Sequence, residues 1–529
     1  RDLPDQERAT VARACRRQLA TLGTGWVPDN MAVLGIDAAR PEATNSASLE
    51  PFIFASVVAE RLDKIADRLT GKLRPLPKDR QIAEGPVVYK AGGVAMGAPG
   101  CDLEVWASPG GGAEEPPSSP SSGGEGVCLV LGAGNQNFLT AVDVIEHAFM
   151  HKECVFLKGH PLRPMVAEVF AHLFAPLAAR GAFAQCQDAD LGGAHGALVS
   201  HPAVAHVHVT GSGATHDKIV AALKAAGREG VGLTSELGCV TPWIICPGTA
   251  NGGEWKDAEI EHHAEMLAAA FKGNCSMNCL SPKLLVLPSE RLWPQRVQFL
   301  EALRRKLREL PQMPPYYPGA HERFLNFERA YADAERIESP PAQKPGDAIR
   351  SPKFPGQDFR PLPSLLVQVG TLGAANSYAI ENEAFAPVLA VGTVESPSAA
   401  EYPLAAARAV NQHVFGTLSC TLITPDPRDA KLDAAVHALN YGVVCVNMWT
   451  ALVYPNSLGV WGGAPGSYSR SKPTSGAGFI GNVSGIPGVV KGVAYSPFKN
   501  SMITMAKPVP VALVEVLHVV VSGQRCVLG

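Results

Sequence analysis

The sequence predicts an α/β protein built on parallel sheets, from three observations. Short apolar runs of strand length alternate with stretches of helix length through the middle of the chain. The 529 residues exceed what one simple core organises, so two or more domains are expected. Hydrophobic residues make up 46% and charged residues 18%, a balance that suits a globular enzyme.

The elements follow in order. Residues 49–73 read as a helix, because Phe52, Phe54, Val57, Val58, Leu62, Ile65 and Leu69 recur at helical spacing between charges. Residues 108–126 are rich in Gly, Pro and Ser and cannot bury a core, so a flexible surface insertion is expected. A βα series then begins. Strands are expected at 127–131, 154–157 and 204–210, and helices at 140–150, 163–179 and 215–226. A second series opens near Glu236, with strands at 243–245 and 284–287 around a helix at 259–271. Residues 311–363 carry many prolines and charges and are expected to be irregular, before further buried strands at 388–394, 418–423 and 443–446. Glycine and proline dominate 455–488, and no internal repeat is visible.

Several function classes are disfavoured. A net charge of −3 gives no reason to expect nucleic acid or an anionic membrane as partner. No apolar run reaches membrane-spanning length; the nearest, 509–521, is interrupted by Pro510, Glu515 and His518. The twelve cysteines are scattered, with no Cys-x-x-Cys pair and no Cys/His group at zinc spacing, so neither a metal site nor a disulfide framework is expected. That usage fits a reducing compartment, either cytoplasmic or the lumen of a mitochondrion or plastid. The first residue is Arg1 rather than Met, which leaves room for a removed targeting segment.

The chemistry concentrates in Phe271-Lys-Gly-Asn-Cys-Ser-Met-Asn-Cys279-Leu-Ser-Pro282. A cysteine here follows a turn of small polar residues and precedes the apolar run 284–287, where a thiol sits anchored by a strand and open to a cleft. Glu236, in Thr234-Ser-Glu-Leu-Gly238, supplies a carboxylate that can move protons. A thiol to attack and a carboxylate to shuttle protons make a minimal kit for covalent catalysis.

Taken together, these motifs resemble the aldehyde dehydrogenase superfamily, NAD(P)-dependent, with this chain a divergent member, over about 127–467. The segment Asn274-Cys-Ser-Met-Asn-Cys279 is similar to the family's Asn-x-Gly-Gln-x-Cys, which puts Cys279, not Cys275, on the nucleophile position. Glu236-Leu-Gly-Cys239, with Pro242 beyond it, resembles Glu-Leu-Gly-Gly-Lys-Ser-Pro, whose glutamate activates the hydrolytic water. Asn135 stands where the family has Pro-Trp-Asn, an amide that donates to the oxyanion. Asn137 is a rival by residue type, but Asn135 keeps the family's interval to Lys158.

The resemblance also implies a cofactor site. Lys158 matches the lysine that binds the adenosine ribose, Gly211 and Ser212 the Phe-Thr-Gly-Ser turn, and Glu383 and Phe385 the Glu-x-Phe-Gly-Pro-Val motif beside the nicotinamide. The family's ribose-binding glutamate is replaced by Pro161, which removes a repulsion against a 2′-phosphate, and Arg163 nearby offers positive charge. NAD or NADP is therefore the expected cofactor, with NADP accepted. Trp449 and Trp461 are expected to border the substrate funnel.

What the resemblance implies is oxidation of a small-molecule aldehyde to an acid through a cysteine thioester. Two alternatives are a CoA-acylating or reductive relative forming the same thioester, and a structural or binding descendant with weakened catalysis. The implied fold is aldehyde dehydrogenase-like: two parallel-sheet αβ domains plus a small β oligomerisation arm. The expected organisation is N-terminal helices and a Rossmann-like cofactor-binding domain over 1–235, a catalytic thiol domain over 236–467, and a C-terminal segment, 468–529, for packing or oligomer contacts. A homodimer or homotetramer is implied by the same resemblance.

Overall fold

The computed structural model describes residues 3–36, 46–94, 100–111, 126–187, 195–248, 253–342, 359–373 and 376–499. The side chains of 46–49 and of 195 lie outside that description, as do most of the expected insertion (112–125) and the apolar run 509–521.

Nineteen strands follow one another along these residues. β1 (Lys78–Gln81), β2 (Val87–Gly93) and β3 (Asp102–Ala107) form an antiparallel meander. β4 (Val127–Leu131), β5 (Cys154–Gly159), β6 (Phe183–Gln187), β7 (Val204–Thr210) and β8 (Gly232–Glu236) are mutually parallel. Next come β9 (Pro242–Ile245), β10 (Leu284–Pro288), β11 (Glu335–Ile337), β12 (Ser364–Thr371), β13 (Val388–Val394), β14 (Ser419–Ile423) and β15 (Val443–Val446). The last four are β16 (Val460–Trp461), β17 (Gly476–Ala477), β18 (Ile480–Gly481) and β19 (Val489–Tyr495).

They assemble into a six-stranded sheet, order β17-β8-β7-β4-β5-β6, and an eleven-stranded sheet, order β1-β2-β3-β19-β15-β14-β9-β10-β13-β12-β11; β16 and β18 pair separately. In the larger sheet, the strands from β19 to β12 run parallel. The expected α/β class with parallel-rich sheets is therefore the architecture found. β3 reaches the larger sheet through antiparallel pairing with β19, and β17 caps the smaller sheet at β8.

Side-chain alternation explains why the apolar runs became central strands. In β10, Leu284 and Val286 enter one core while Leu285 and Leu287 enter another on the opposite face. In β4, Cys128 and Val130 face one core and Leu129 and Leu131 a second. A parallel strand covered on both faces reads as an unbroken apolar run for this reason. Each such Leu, Ile or Val contributes roughly 1.5–3 kcal/mol by leaving water.

Two expectations are corrected. The stretch 311–363 contains a helix, Ala320–Ala330, and β11. Its buried Phe324 and Phe327 carry the apolar stripe, which the surrounding proline and charge obscured. The expected helix at 163–179 is two, Val166–Leu173 and Ala175–Ala178, because Phe174 leaves helical geometry (φ −98°, ψ 12°) just ahead of Pro176. Among the described residues no helix is long and apolar enough to cross a membrane.

Candidate active site

The helix Asp257–Lys272 ends at Gly273, and the chain then turns through Asn274, Cys275 and Ser276 with φ of 54°, 52° and 59°. Three successive non-glycine residues in the left-handed region cost roughly 1–2 kcal/mol each. Buried polar groups hold the turn against that cost. Asn274 Nδ2 donates to Asn278 Oδ1 at 2.9 Å, and Lys283 Nζ donates to the carbonyls of Ser276 (2.5 Å) and Asn278 (3.0 Å). Thr241 Oγ1 donates to the Cys279 carbonyl at 2.8 Å, fixing that peptide. Lys283 stands at the mouth of β10, and burial draws its ammonium down to about 8.

The turn separates two thiols of different access. Cys275 is fully buried, receives a hydrogen bond from Gln312 Nε2 at 3.3 Å, and burial pushes it up to about 12. Cys279 is half-buried and lines two clefts at once. Its Sγ donates to Glu236 Oε1 at 3.3 Å. Burial, and after it the charges of Glu236 and Glu383, raise this thiol well above its ordinary value, so the resting group is the neutral thiol.

Glu236 ends β8, where its carbonyl accepts the Gly211 N–H at 3.0 Å. Burial raises its carboxyl to about 7, and the charge of Asp143 adds to this; Trp461 and Cys279 pull the other way. A carboxyl at that value exchanges protons readily near neutral pH.

Asn135 lies in the loop from β4 to the helix Asn137–Ile145 and lines both clefts. Its Nδ2 donates to the Met277 carbonyl at 3.3 Å, over the turn before Cys279. Its own carbonyl accepts from Arg163 Nη2 (2.7 Å) and Tyr316 OH (2.9 Å). Asn137 is occupied elsewhere: its backbone N–H donates to Glu50 and its side chain to Asn30, both at 2.8 Å. Cys279, Glu236 and Asn135 therefore meet where the two clefts join.

One cleft is walled by apolar groups including Phe138, Leu139, Leu280, Trp449, Leu452 and Trp461. The other, the roomier of the two, is lined by all five residues expected to hold a cofactor: Lys158, Gly211, Ser212, Glu383 and Phe385. Ser212 caps the helix Gly213–Ala225, its Oγ accepting the Thr215 N–H at 3.2 Å. Lys158 is buried at the end of β5. Phe385 has φ of 43°, a strained geometry for an aromatic residue. Arg323 holds it there, donating to its carbonyl at 3.1 Å with the guanidinium 5.9 Å from its ring centre.

Arg163 is corrected as a phosphate partner. It is buried outside that cleft and donates to the carbonyls of Gly134 (2.9 Å) and Asn135 (2.7 Å), so it steadies the Asn135 loop instead. His160 lines the cofactor-side cleft in its place, and a Cβ on Gly134 would lie 2.3 Å from its ring. The sequence reading missed Lys283, Tyr316 and Arg323. Lys283 left one signal: a lysine at the head of a fully apolar strand must find partners.

Comparison with known proteins agrees with this geometry. The sequence profile of the aldehyde dehydrogenase family matches residues 124–472. A crystal structure of an E. coli NADP-dependent enzyme is 16% identical, aligned over 93% of this chain and 86% of its own, with a TM-score of 0.59. A Mycobacterium tuberculosis aldehyde dehydrogenase complexed with NAD+ is 17% identical over 96% and 87%, TM-score 0.59. A mutant aldehyde dehydrogenase C from Pseudomonas syringae, complexed with NAD+ and octanal, is 18% identical over 94% and 85%, TM-score 0.58. At these identities the structural likeness speaks for the fold.

Proposed function

Because the chain belongs to the aldehyde dehydrogenase family, we propose that it oxidises an apolar aldehyde to the carboxylic acid with NAD or NADP, through a thioester on Cys279. The observation that carries this reading is the meeting of Cys279, Glu236 and Asn135 at the seam of an apolar cleft and a second cleft with more polar groups in its wall.

The second cleft fits a dinucleotide. Glu383 Oε1 is buried without a hydrogen-bond partner, an orphan that a ribose hydroxyl would satisfy. Gly238 gives the carboxylate room, since a Cβ there would lie 2.2 Å from Glu383 Oε2. Lys158 and Glu383 would hold the two riboses, the Gly211–Ser212 turn the pyrophosphate, and Phe385 the nicotinamide face. When bound, the nicotinamide supplies the hydride acceptor.

The chain's own groups then act in sequence. An aldehyde enters from the apolar cleft with its carbonyl carbon toward Sγ. Glu236 takes the thiol proton as Sγ attacks, so no standing thiolate is needed. Asn135 Nδ2 and the Cys279 backbone N–H donate to the oxygen as it gains charge, relieving the amide's resting bond to Met277. Preorganised donors of this kind lower a barrier by roughly 3 kcal/mol each. After hydride loss leaves the thioester, Glu236 gives up its proton and accepts another from water, whose oxygen attacks the acyl carbon. The carboxylic acid leaves and Cys279 regains a proton.

An aldehyde panel tests the reading, run with NAD and with NADP, with and without CoA. Oxidation of medium-chain apolar aldehydes to free acid, indifferent to CoA, is expected. Product that forms only as the CoA thioester, or cofactor binding without turnover, would replace it with an acylating or a non-catalytic reading.

A further inference from the structure

A second cluster of reactive side chains lies behind the catalytic glutamate, on the face of the six-stranded sheet that carries Cys128 of β4 and His206 of β7. These two residues are register partners on adjacent strands. His147 comes from the turn Glu146–Met150 that ends the helix after Asn135, and Glu153 from the entry to β5. All four are buried, and one ligand-type atom from each lies within 4.8 Å of the other three. Glu153 Oε2 is 2.7 Å from His147 Nδ1, and Glu153 Oε1 is 2.9 Å from His206 Nδ1.

We propose that Cys128, His147, Glu153 and His206 form a four-coordinate site for a divalent cation of the zinc class. The donor set is mixed sulfur, nitrogen and oxygen, which suits Zn2+ and its spectroscopic substitute Co2+. A thiolate, a carboxylate and two neutral imidazoles carry two negative charges, so a dication leaves a neutral buried unit. Hydrogen bonding would account for the His-Glu-His contacts and for the Cys128 thiol beside Glu153; what points to an ion is the convergence of four ligand-type groups from separate elements in one buried spot. Ligands about 2.0–2.3 Å from a metal stand about 3.3–3.6 Å apart in a tetrahedron, so the Glu153–His pairs, at 2.7 and 2.9 Å, must open by about half an ångström and the wider pairs, which reach at most 4.8 Å, must close by about 1 Å around the ion. The outer support is also in place: Thr234 Oγ1 lies 2.9 Å from His206 Nε2 and fixes the ring with Nδ1 toward the site. A small pocket lined by His147, His151, His206 and His208, and reaching Glu236, adjoins the set on its imidazole side.

The placement assigns the ion a structural task. Cys128 lies near the start of β4 and His147 just past the helix that follows, so one ion ties both ends of the unit whose middle loop carries Asn135. Sequence spacing hid the set because its members come from separate elements that only the folded sheet brings together.

Elemental analysis of the untagged full chain tests this, after zinc loading and dialysis against metal-free buffer. About one zinc per chain is expected, and Co2+ loading should give a thiolate-to-cobalt charge-transfer band. Cys128→Ser should lose that band, and His206→Ala should retain less than a tenth of the zinc. His151→Ala, outside the ligand set, should keep it in full. Circular dichroism and cofactor binding establish that each variant is folded. A folded wild type that holds less than a tenth of an equivalent of zinc overturns the proposal, as does a His206→Ala variant that keeps the full complement. The wild-type and cobalt measurements decide the matter even where a variant fails to fold, and metal content is read independently of aldehyde turnover.

Discussion

The turn around Cys279 and the cluster around Cys128 use the same chemical vocabulary, a cysteine beside a buried glutamate, with opposite access. Cys279 opens on two clefts and touches one carboxylate oxygen. Cys128 is sealed against the sheet, beside two imidazoles and a carboxylate. Burial alone does not separate them, because it raises both thiols. What separates them is the neighbouring space. A thiol with an empty cleft on each side can meet a substrate, whereas one enclosed by three other donors can only hold something small.

The contrast can be broken first at its reactive end. Cys279→Ala removes the only thiol proposed to form a covalent bond, so aldehyde oxidation should fall by roughly three orders of magnitude or more with cofactor binding retained. Steady-state rates and cofactor titration check both parts. Asn135→Ala comes next, with kcat expected to fall roughly 10²–10³-fold, as for loss of one oxyanion donor. KM should change far less, because the donor acts on charge that develops only during reaction.

A pH profile sharpens the same contrast. Glu236 must be ionised to accept a proton, and its folded value is raised to about 7 from an ordinary 4.5. Activity should therefore be full above about pH 8 and fall about tenfold per unit as pH drops below 7. A profile flat down to pH 5 would remove Glu236 from the proton path. The smallest effect belongs to Cys275→Ser, four residues from the nucleophile yet enclosed. Turnover should stay within about threefold, with a stability cost of roughly 1–2 kcal/mol read by denaturant titration.

Much of this was legible in the chain. The βα alternation announced parallel sheets, and the apolar runs of β4, β10 and β13 became central strands because both faces are covered. Cys279, Glu236, Asn135 and the five expected cofactor residues are named from motif and interval; the fold brings the first three to the junction of two clefts and sets the other five along one of those clefts. What stayed hidden depends on long-range contact. Arg163 looked like a phosphate ligand from its position after β5, but the fold turns it toward the Asn135 carbonyl. β1 escaped notice because it is polar and lies at the sheet's edge, where alternation is weak. Lys283, which holds the turn before Cys279, and Arg323, which holds Phe385, gave little local sign of those tasks.

The central claim is that a thioester forms on Cys279 and that Glu236 releases it. Glu236→Gln, mixed rapidly with an apolar aldehyde and NAD or NADP and then acid-quenched, tests it by intact mass and peptide mapping. Because Glu236 also takes the thiol proton, acylation is slowed too, and the account predicts reduced cofactor rising slowly to at most one per active chain, with an acyl adduct that persists on the peptide bearing Cys279 and little free acid. Reduced cofactor without an adduct there, or an adduct on another cysteine, would contradict it.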